Sequence, residues 1–199
     1  MIDFARIKQL YQLSVNLSLK DIQVLIQSAK SQRFEAGAFL MQEGSQNHTV
    51  YFIRKGLIRT FIVNEKGDEI TTSLRWENQM YANSDVILFG QASRYDVQAL
   101  EATDTLSLDY DTLQSIVERH PKLEKNRKFI LQDILKQTIK HSESFILYSP
   151  EERYLNFVKN NPEILNRVPG KYIANILGIT PVSLSRIRKR IANKQQTTT

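Results

Sequence analysis

The densest run of chemistry-bearing residues lies between Val168 and Arg190: Val-Pro-Gly-Lys-Tyr-Ile-Ala-Asn-Ile-Leu-Gly-Ile-Thr-Pro-Val-Ser-Leu-Ser-Arg-Ile-Arg-Lys-Arg. Its spacing predicts a short helix from Lys171 to Leu177 with Ile173, Ala174 and Leu177 facing inward. Gly178 ends that helix, where a left-handed residue is cheap only for glycine. Ile179 plugs the turn, and Thr180-Pro181 caps and starts a second helix with Leu184 and Ile187 inward. By 3.6-residue periodicity Val182, Ser183, Arg186 and Arg190 share the opposite face. This is the pattern of a helix-turn-helix whose basic second helix is sized for a DNA major groove. Arg186 suits a bidentate bond to a guanine edge, Ser183 a base or phosphate, and Val182 a thymine methyl. Lys171, Arg188, Lys189 and Arg190 are assigned to phosphates, which position the protein without specifying sequence.

The charge distribution supports the same chemistry. Residues 1–149 hold 18 Lys+Arg against 18 Asp+Glu, whereas residues 150–199 hold 9 against 3, so the whole net charge of +6 sits in the last quarter. No acid follows Glu163. A basic face on one terminal segment is the footprint of a phosphate-backbone binder. The competing view is a generic helical hairpin with a solvated basic face. It does not account for the glycine turn, the Thr-Pro start and the acid-free basicity occurring together.

These residues need a scaffold. Ser149-Pro150-Glu151-Glu152 reads as a helix start, with Ser149 as the cap, Pro150 in the first helical position and Glu152 closing a capping box. Asn161-Pro162-Glu163 starts a further helical turn. Before it, Lys122–Tyr148 contains no Gly or Pro and is predicted as one helix near 40 Å long, at about 1.5 Å per residue. Leu123, Ile130, Leu131, Ile134, Leu135, Ile139 and Phe145 give it an apolar side, interrupted by Gln137, Thr138 and His141. That side suits packing on its own domain or pairing with a second copy.

From about Gln32 to Tyr110 the pattern changes to period two. Runs such as Thr49–Ile53, Leu57–Val63 and Glu69–Leu74 alternate with Gly37, Gly44, Gly56, Gly67 and Gly90, and Asn64-Glu65-Lys66-Gly67-Asp68 reads as a hairpin turn. This predicts an antiparallel roll uninterrupted by helix-period segments. Residues 2–13 and 18–30 read as short helices, the second capped by Ser18, and Asp111-Thr112-Leu113-Gln114 caps another that ends near His120-Pro121. The expected organisation is α+β: a β-roll sensor domain with flanking helices (1–121), a long dimerisation helix (122–148) and a helix-turn-helix domain (149–199).

Other chemistries find little support. With no cysteine in 199 residues, disulfides, thiolate zinc sites and cysteine-held iron–sulfur clusters are excluded, and a reducing cytoplasm is the expected compartment. No signal peptide or membrane-length apolar run is present, so no membrane association is expected. Neither a phosphate-cradling Gly-rich loop nor an HExxH motif occurs, so no enzyme and no metal site are expected. Glu43 and His48 lack a serine to complete a triad. The pairs Asp68-Glu69 and Glu151-Glu152 have structural accounts as strand and helix-start residues. His48, His120 and His141 are scattered, which argues against a haem ligand.

In the order of its motifs the chain resembles the Crp/Fnr family of bacterial transcription regulators, named for the cyclic-nucleotide receptor protein, along nearly its full length. The resemblance rests on Glu43-Gly44, Gly56-Leu57 and Lys66-Gly67; on Ala99-Leu100-Glu101-Ala102-Thr103 leading to Leu106 and Leu108; on the long helix; and on Leu177-Gly178-Ile179-Thr180 through Leu184-Ser185-Arg186-Ile187. It implies a cyclic-nucleotide-binding-like jelly roll, a homodimer along the long helix, recognition helices in successive major grooves of double-stranded DNA, and RNA polymerase as a further partner. Ser149-Pro-Glu-Glu-Arg153-Tyr154 resembles the start of a shortened DNA-binding domain. The family's phosphate-binding cassette carries Gly-Glu and Arg-Ser or Arg-Thr. Here the corresponding stretches read Gln79-Met80-Tyr81-Ala82-Asn83-Ser84 and Ser93-Arg94-Tyr95-Asp96-Val97, and an ungapped alignment puts Asp96 or Val97 at the arginine position. Cyclic nucleotide is therefore not expected as a cofactor, and Asn83, Ser84, Arg94 and Tyr95 are the candidate lining of a pocket that holds some other small effector or none. The family's β-hairpin wing is not expected, since Ile191–Thr199 is polar and too short to form one. The alternative reading is a small-molecule-binding or partner-adaptor dimer without sequence-specific DNA binding.

Overall fold

The computed structural model describes residues 27–119 and 124–197. The expected helix over 2–13 lies outside them, as does most of the one over 18–30, which ends at Ser28. The chain divides into two compact units: Met1–Thr60 with Leu74–Leu135, and Phe61–Ser73 with Lys136–Thr199.

The first unit is built on strands β1 (Lys30–Phe34), β2 (Phe39–Met41), β3 (Thr49–Lys55), β4 (Leu57–Val63), β5 (Glu69–Trp76), β6 (Met80–Tyr81), β7 (Asp96–Ala99) and β8 (Thr103–Asp109). They form two four-stranded sheets, ordered β1-β8-β3-β6 and β2-β7-β4-β5. β1–β8, β2–β7, β3–β6 and β3–β8 all pair antiparallel. The alternation legible in the sequence therefore becomes two faces enclosing Leu40, Met41, Tyr51, Ile53, Ile58, Tyr81, Val97 and Ala99. Burial raises the phenol pKa values of Tyr51 and Tyr81. Gly56 makes the β3–β4 corner with φ +101°, and a Cβ there would sit 2.5 Å from Thr103 Oγ1 and 2.7 Å from the Ala102 carbonyl. Only glycine fits both the angle and the approach.

The roll is not free of helix, contrary to the period-two reading. α1 (Ser84–Phe89) lies between β6 and β7, started by the Asn83 side chain and closed by Gly90 in the left-handed conformation. Its six residues are too few to show a helical period. α2 (Tyr110–Arg119) follows β8 and packs Tyr110, Leu113, Ile116 and Val117 on Val50. Its first turn is capped by Asp109, whose carboxylate accepts from the Thr112 N–H at 2.8 Å, rather than by Asp111.

The long helix α3 spans Glu124–Leu147 and is shared by the two units. In the second unit α4 (Pro150–Asn160) carries the full capping box of Ser149 and Glu152. A 3-10 turn (Pro162–Ile164), α5 (Gly170–Ile176) and α6 (Pro181–Thr197) complete it. Ile164, Val168, Ile173, Ala174, Leu177, Leu184 and Ile187 are its buried core. The tip of the β4–β5 hairpin belongs to this unit, and the Thr71 N–H donates to Asn175 Oδ1 on α5 at 3.2 Å.

Candidate nucleic-acid interface and effector cassette

The turn between α5 and α6 is built from local chemistry. Gly178 adopts φ +64° and donates its N–H to Asn175 O, while Ile179 N–H reaches Ala174 O at 3.0 Å. Thr180 Oγ1 accepts from the Ser183 N–H at 3.1 Å, and the two hydroxyls are 2.9 Å apart. The Thr180 cap thus starts α6, and Pro181 contributes a preset φ at its first residue. With Leu184 and Ile187 buried, the opposite face is left in solvent. Val182 is 60% exposed, and Arg186, Arg188, Lys189 and Arg190 are all exposed. Ser183 is half-buried, its hydroxyl shared with Thr180. Lys171 is exposed at the start of α5, with its ammonium 4.9 Å from the centre of the Tyr172 ring.

Two of the predicted phosphate residues are already engaged. Arg188 donates from Nε to the Tyr154 hydroxyl at 3.2 Å and lies over that ring. Arg190 Nη1 meets Glu151 Oε2 at 2.7 Å, and Lys194 Nζ meets the other oxygen at 3.0 Å. Hydrogen bonding from Lys194, then from Arg190, holds the Glu151 carboxyl below its ordinary value, against desolvation. The helix-start account of the Glu151-Glu152 pair therefore holds for Glu152 alone: it closes the capping box, whereas Glu151 points to α6. Sequence reasoning missed Glu151 and Tyr154 as partners of the α6 cations, and Lys194 as one of those cations. The four-residue spacing of Arg190 and Lys194 was visible, but a partner 39 positions away from Arg190 was not.

Arg153 also went unassigned. Its Nε donates to the Leu177 carbonyl at 3.0 Å and its Nη1 to the Tyr148 carbonyl at 2.8 Å, with the guanidinium over the Phe145 ring. Both carbonyls lie at helix C-terminal ends, where such groups lack intrahelical partners. One fork thus ties the end of α3 to the helix-turn-helix turn. A cleft of about 490 Å³ beside it is lined by His141, Tyr148, Arg153, Phe157 and Leu177 among others, and by none of the candidate effector residues.

Those four candidates lie in one segment of the first unit. Asn83 is buried and spends its Oδ1 on the Asp85 and Val86 N–H groups, while its Nδ2 donates to Ser93 Oγ at 2.6 Å. Ser84 is the half-buried first residue of α1. Arg94 is exposed, and its Nε and Nη2 each donate to an oxygen of Asp85 at 3.0 Å; its backbone N–H adds a third bond at 3.1 Å. Tyr95 is half-buried beneath the Arg94 guanidinium. Asp96 accepts from the Glu43 N–H, and Val97 is fully buried. The Arg94 hydrogen bond, ahead of the opposing burial, holds the buried Asp85 carboxyl below its ordinary value.

Residues 31–120 match the cyclic nucleotide-binding domain family. The transcriptional activator protein Anr of Pseudomonas protegens is 24% identical over 153 residues, covering 74% of this chain and 60% of Anr. The fumarate and nitrate reduction regulatory protein of Vibrio cholerae is 24% identical over 176 residues, covering 81% of this chain and 68% of the relative. Over most of its length the chain is similar to regulators of the Crp/Fnr type. A CooA mutant from Carboxydothermus hydrogenoformans shares the fold with a TM-score of 0.68 at 19% identity, over 92% of this chain and 84% of CooA. The chain thus spans 60% of the length of Anr.

The domain match invites a test of its cassette against a cyclic nucleotide. The one arginine in the cassette loop gives its side-chain fork and its backbone N–H to an internal carboxylate. An incoming phosphate would have to displace a buried, three-fold hydrogen-bonded Asp85, and it would repel that carboxylate if it did not. The residues present do not fit the group.

Proposed function

We propose that this chain is a DNA-binding transcription regulator that acts as a homodimer in the cytoplasm, with α6 as its recognition helix. The observation that carries this reading is the face of α6: Val182, Arg186 and Lys189 are exposed on a helix whose other side is buried and which contains no acid. A guanidinium at Arg186 has the fork geometry for a guanine edge, and Val182 offers a methyl contact. Lys171, Arg188 and Lys189 bind phosphates beside it. The regulator works by binding rather than by catalysis, and RNA polymerase is its further partner. We also propose that its β-roll operates without a cyclic nucleotide, because Asp85 holds Arg94, the one arginine of the cassette loop.

The test is duplex binding by fluorescence anisotropy, using a sequence selected from a random pool by the wild-type chain. Arg186→Ala is expected to cost about 1–3 kcal/mol on the selected duplex and to relax base preference at one position. Arg188→Ala is expected to weaken all duplexes alike and to reduce the salt slope by about one. Unchanged affinity for Arg186→Ala would remove the main support for the reading.

A further inference from the structure

Arg186, Arg190 and Lys194 recur every four residues along α6 and so form one stripe of cations. Its two ends differ. Arg186 stands exposed, whereas Arg190 and Lys194 each bond one oxygen of Glu151, whose side chain is only 21% exposed. Glu151 has no capping duty that would explain this, because Ser149 and Glu152 complete the capping box without it. The carboxylate is therefore aimed at the C-terminal half of the proposed recognition helix and neutralises one of its charges.

We propose that Glu151 is a specificity-determining residue: an internal competitor for DNA phosphate that masks Arg190 and Lys194 and leaves Arg186 free. The inference rests on the DNA-binding reading above. Non-specific association is almost entirely phosphate neutralisation, while discrimination comes from base edges. A carboxylate that discounts phosphate contacts at one end of the helix lowers affinity for every sequence. It leaves the base contact of Arg186 intact, so the ratio of specific to non-specific binding rises. Arg190 and Lys194 reach phosphates only when docking supplies an anion that outcompetes Glu151.

The experiment compares the full chain with Glu151→Gln on the selected duplex and on a scrambled one, across a salt series. The variant is expected to bind the scrambled duplex about 3–10-fold more tightly near 0.1 M salt, with a salt slope steeper by about one. Its gain on the selected duplex is smaller, so discrimination falls. In an Arg190→Ala/Lys194→Ala background the same substitution is expected to change nothing, because the mask then has nothing to cover. Equal affinities and slopes for wild type and Glu151→Gln would overturn the proposal. So would a gain that persists in the double-alanine background, since that reports only general charge repulsion. Glu151→Ser, equally suited to a first helical turn, replaces the Gln variant if the latter melts early. A wild-type chain that binds no duplex at low salt removes the regulator reading itself, whereas binding without an effect at Glu151 removes only this inference.

Discussion

Three donors converge on Asp85: the Nε, the Nη2 and the backbone N–H of Arg94. Charge-assisted bonds to a buried carboxylate are among the stronger polar contacts in a fold, and leaving such donors without an acceptor is costly. Asp85→Asn is therefore expected to destabilise the chain by about 1–3 kcal/mol at neutral pH. The sign of the pH dependence follows from the depressed pKa: the contribution is fully present above the ordinary value of 3.8 and is lost as pH falls through the lower folded value. Urea titrations of both proteins at pH 7 and near pH 3 check this, and a gap equal at both pH values would show that the ionised pair is not its source. On the same account, calorimetry with cyclic AMP is expected to show no binding to the wild type, and a micromolar isotherm would overturn the self-occupied cassette. The sequence offers Asn83, Ser84, Arg94 and Tyr95 as the lining of an effector pocket, and the structure engages Asn83 and Arg94 in bonds within their own segment. Their roles were not legible, because each is fixed by a bond across the loop: Asn83 to Ser93, Arg94 to Asp85. The spacing of residues in a short loop does not report which side chains turn inward.

At the scale of elements, what the sequence disclosed was whatever is encoded locally. The Ser149 capping box, the Asn64–Asp68 hairpin and the glycine turn at Gly178 each rest on residues within a few positions of one another. What it did not disclose is what lies above the turn. A Cβ on Gly178 would collide with the Phe145 ring, which comes from the end of α3, and φ there is +64°. Two separate constraints thus select glycine. Gly178→Ala is expected to cost at least about 1–2 kcal/mol from the left-handed backbone alone, with the collision added. Phe145→Leu should recover the collision part and not the backbone part. Thermal melts of the two single variants and the double variant measure the coupling between them. Strict additivity would mean that the ring does not rest on the turn. The Arg153 fork, over the same ring, belongs to this constellation and was invisible for the same reason: Leu177 is 24 positions away.

For the whole molecule, the segregation of charge and the length of α3 were both readable from composition and from the absence of Gly and Pro. The sequence left open what covers the apolar residues of that helix. Leu135 is 60% exposed and Ile139 47%, on a helix that runs out of the first unit and into the second. Isolated exposed apolar residues need no explanation, but Leu135 and Ile139 lie one turn apart and so present two apolar side chains on one face of the helix. A two-fold pairing of this helix with its copy, as the proposed regulator requires, would cover both residues. It would also supply the two copies of α6 that the proposed reading of half-sites about 34–36 Å apart requires. Sedimentation equilibrium at micromolar concentration is therefore expected to give twice the 23.1 kDa chain mass. Leu135→Glu/Ile139→Glu should convert the dimer to monomer, because each substitution places a charge in an apolar contact where it has no partner. That monomer keeps its helix-turn-helix and so retains weak, salt-sensitive binding to single half-sites, while losing tight binding to a two-fold site. A wild-type chain that sediments at the mass of one copy would rule out the paired helix, and α6 would then have to read DNA one half-site at a time.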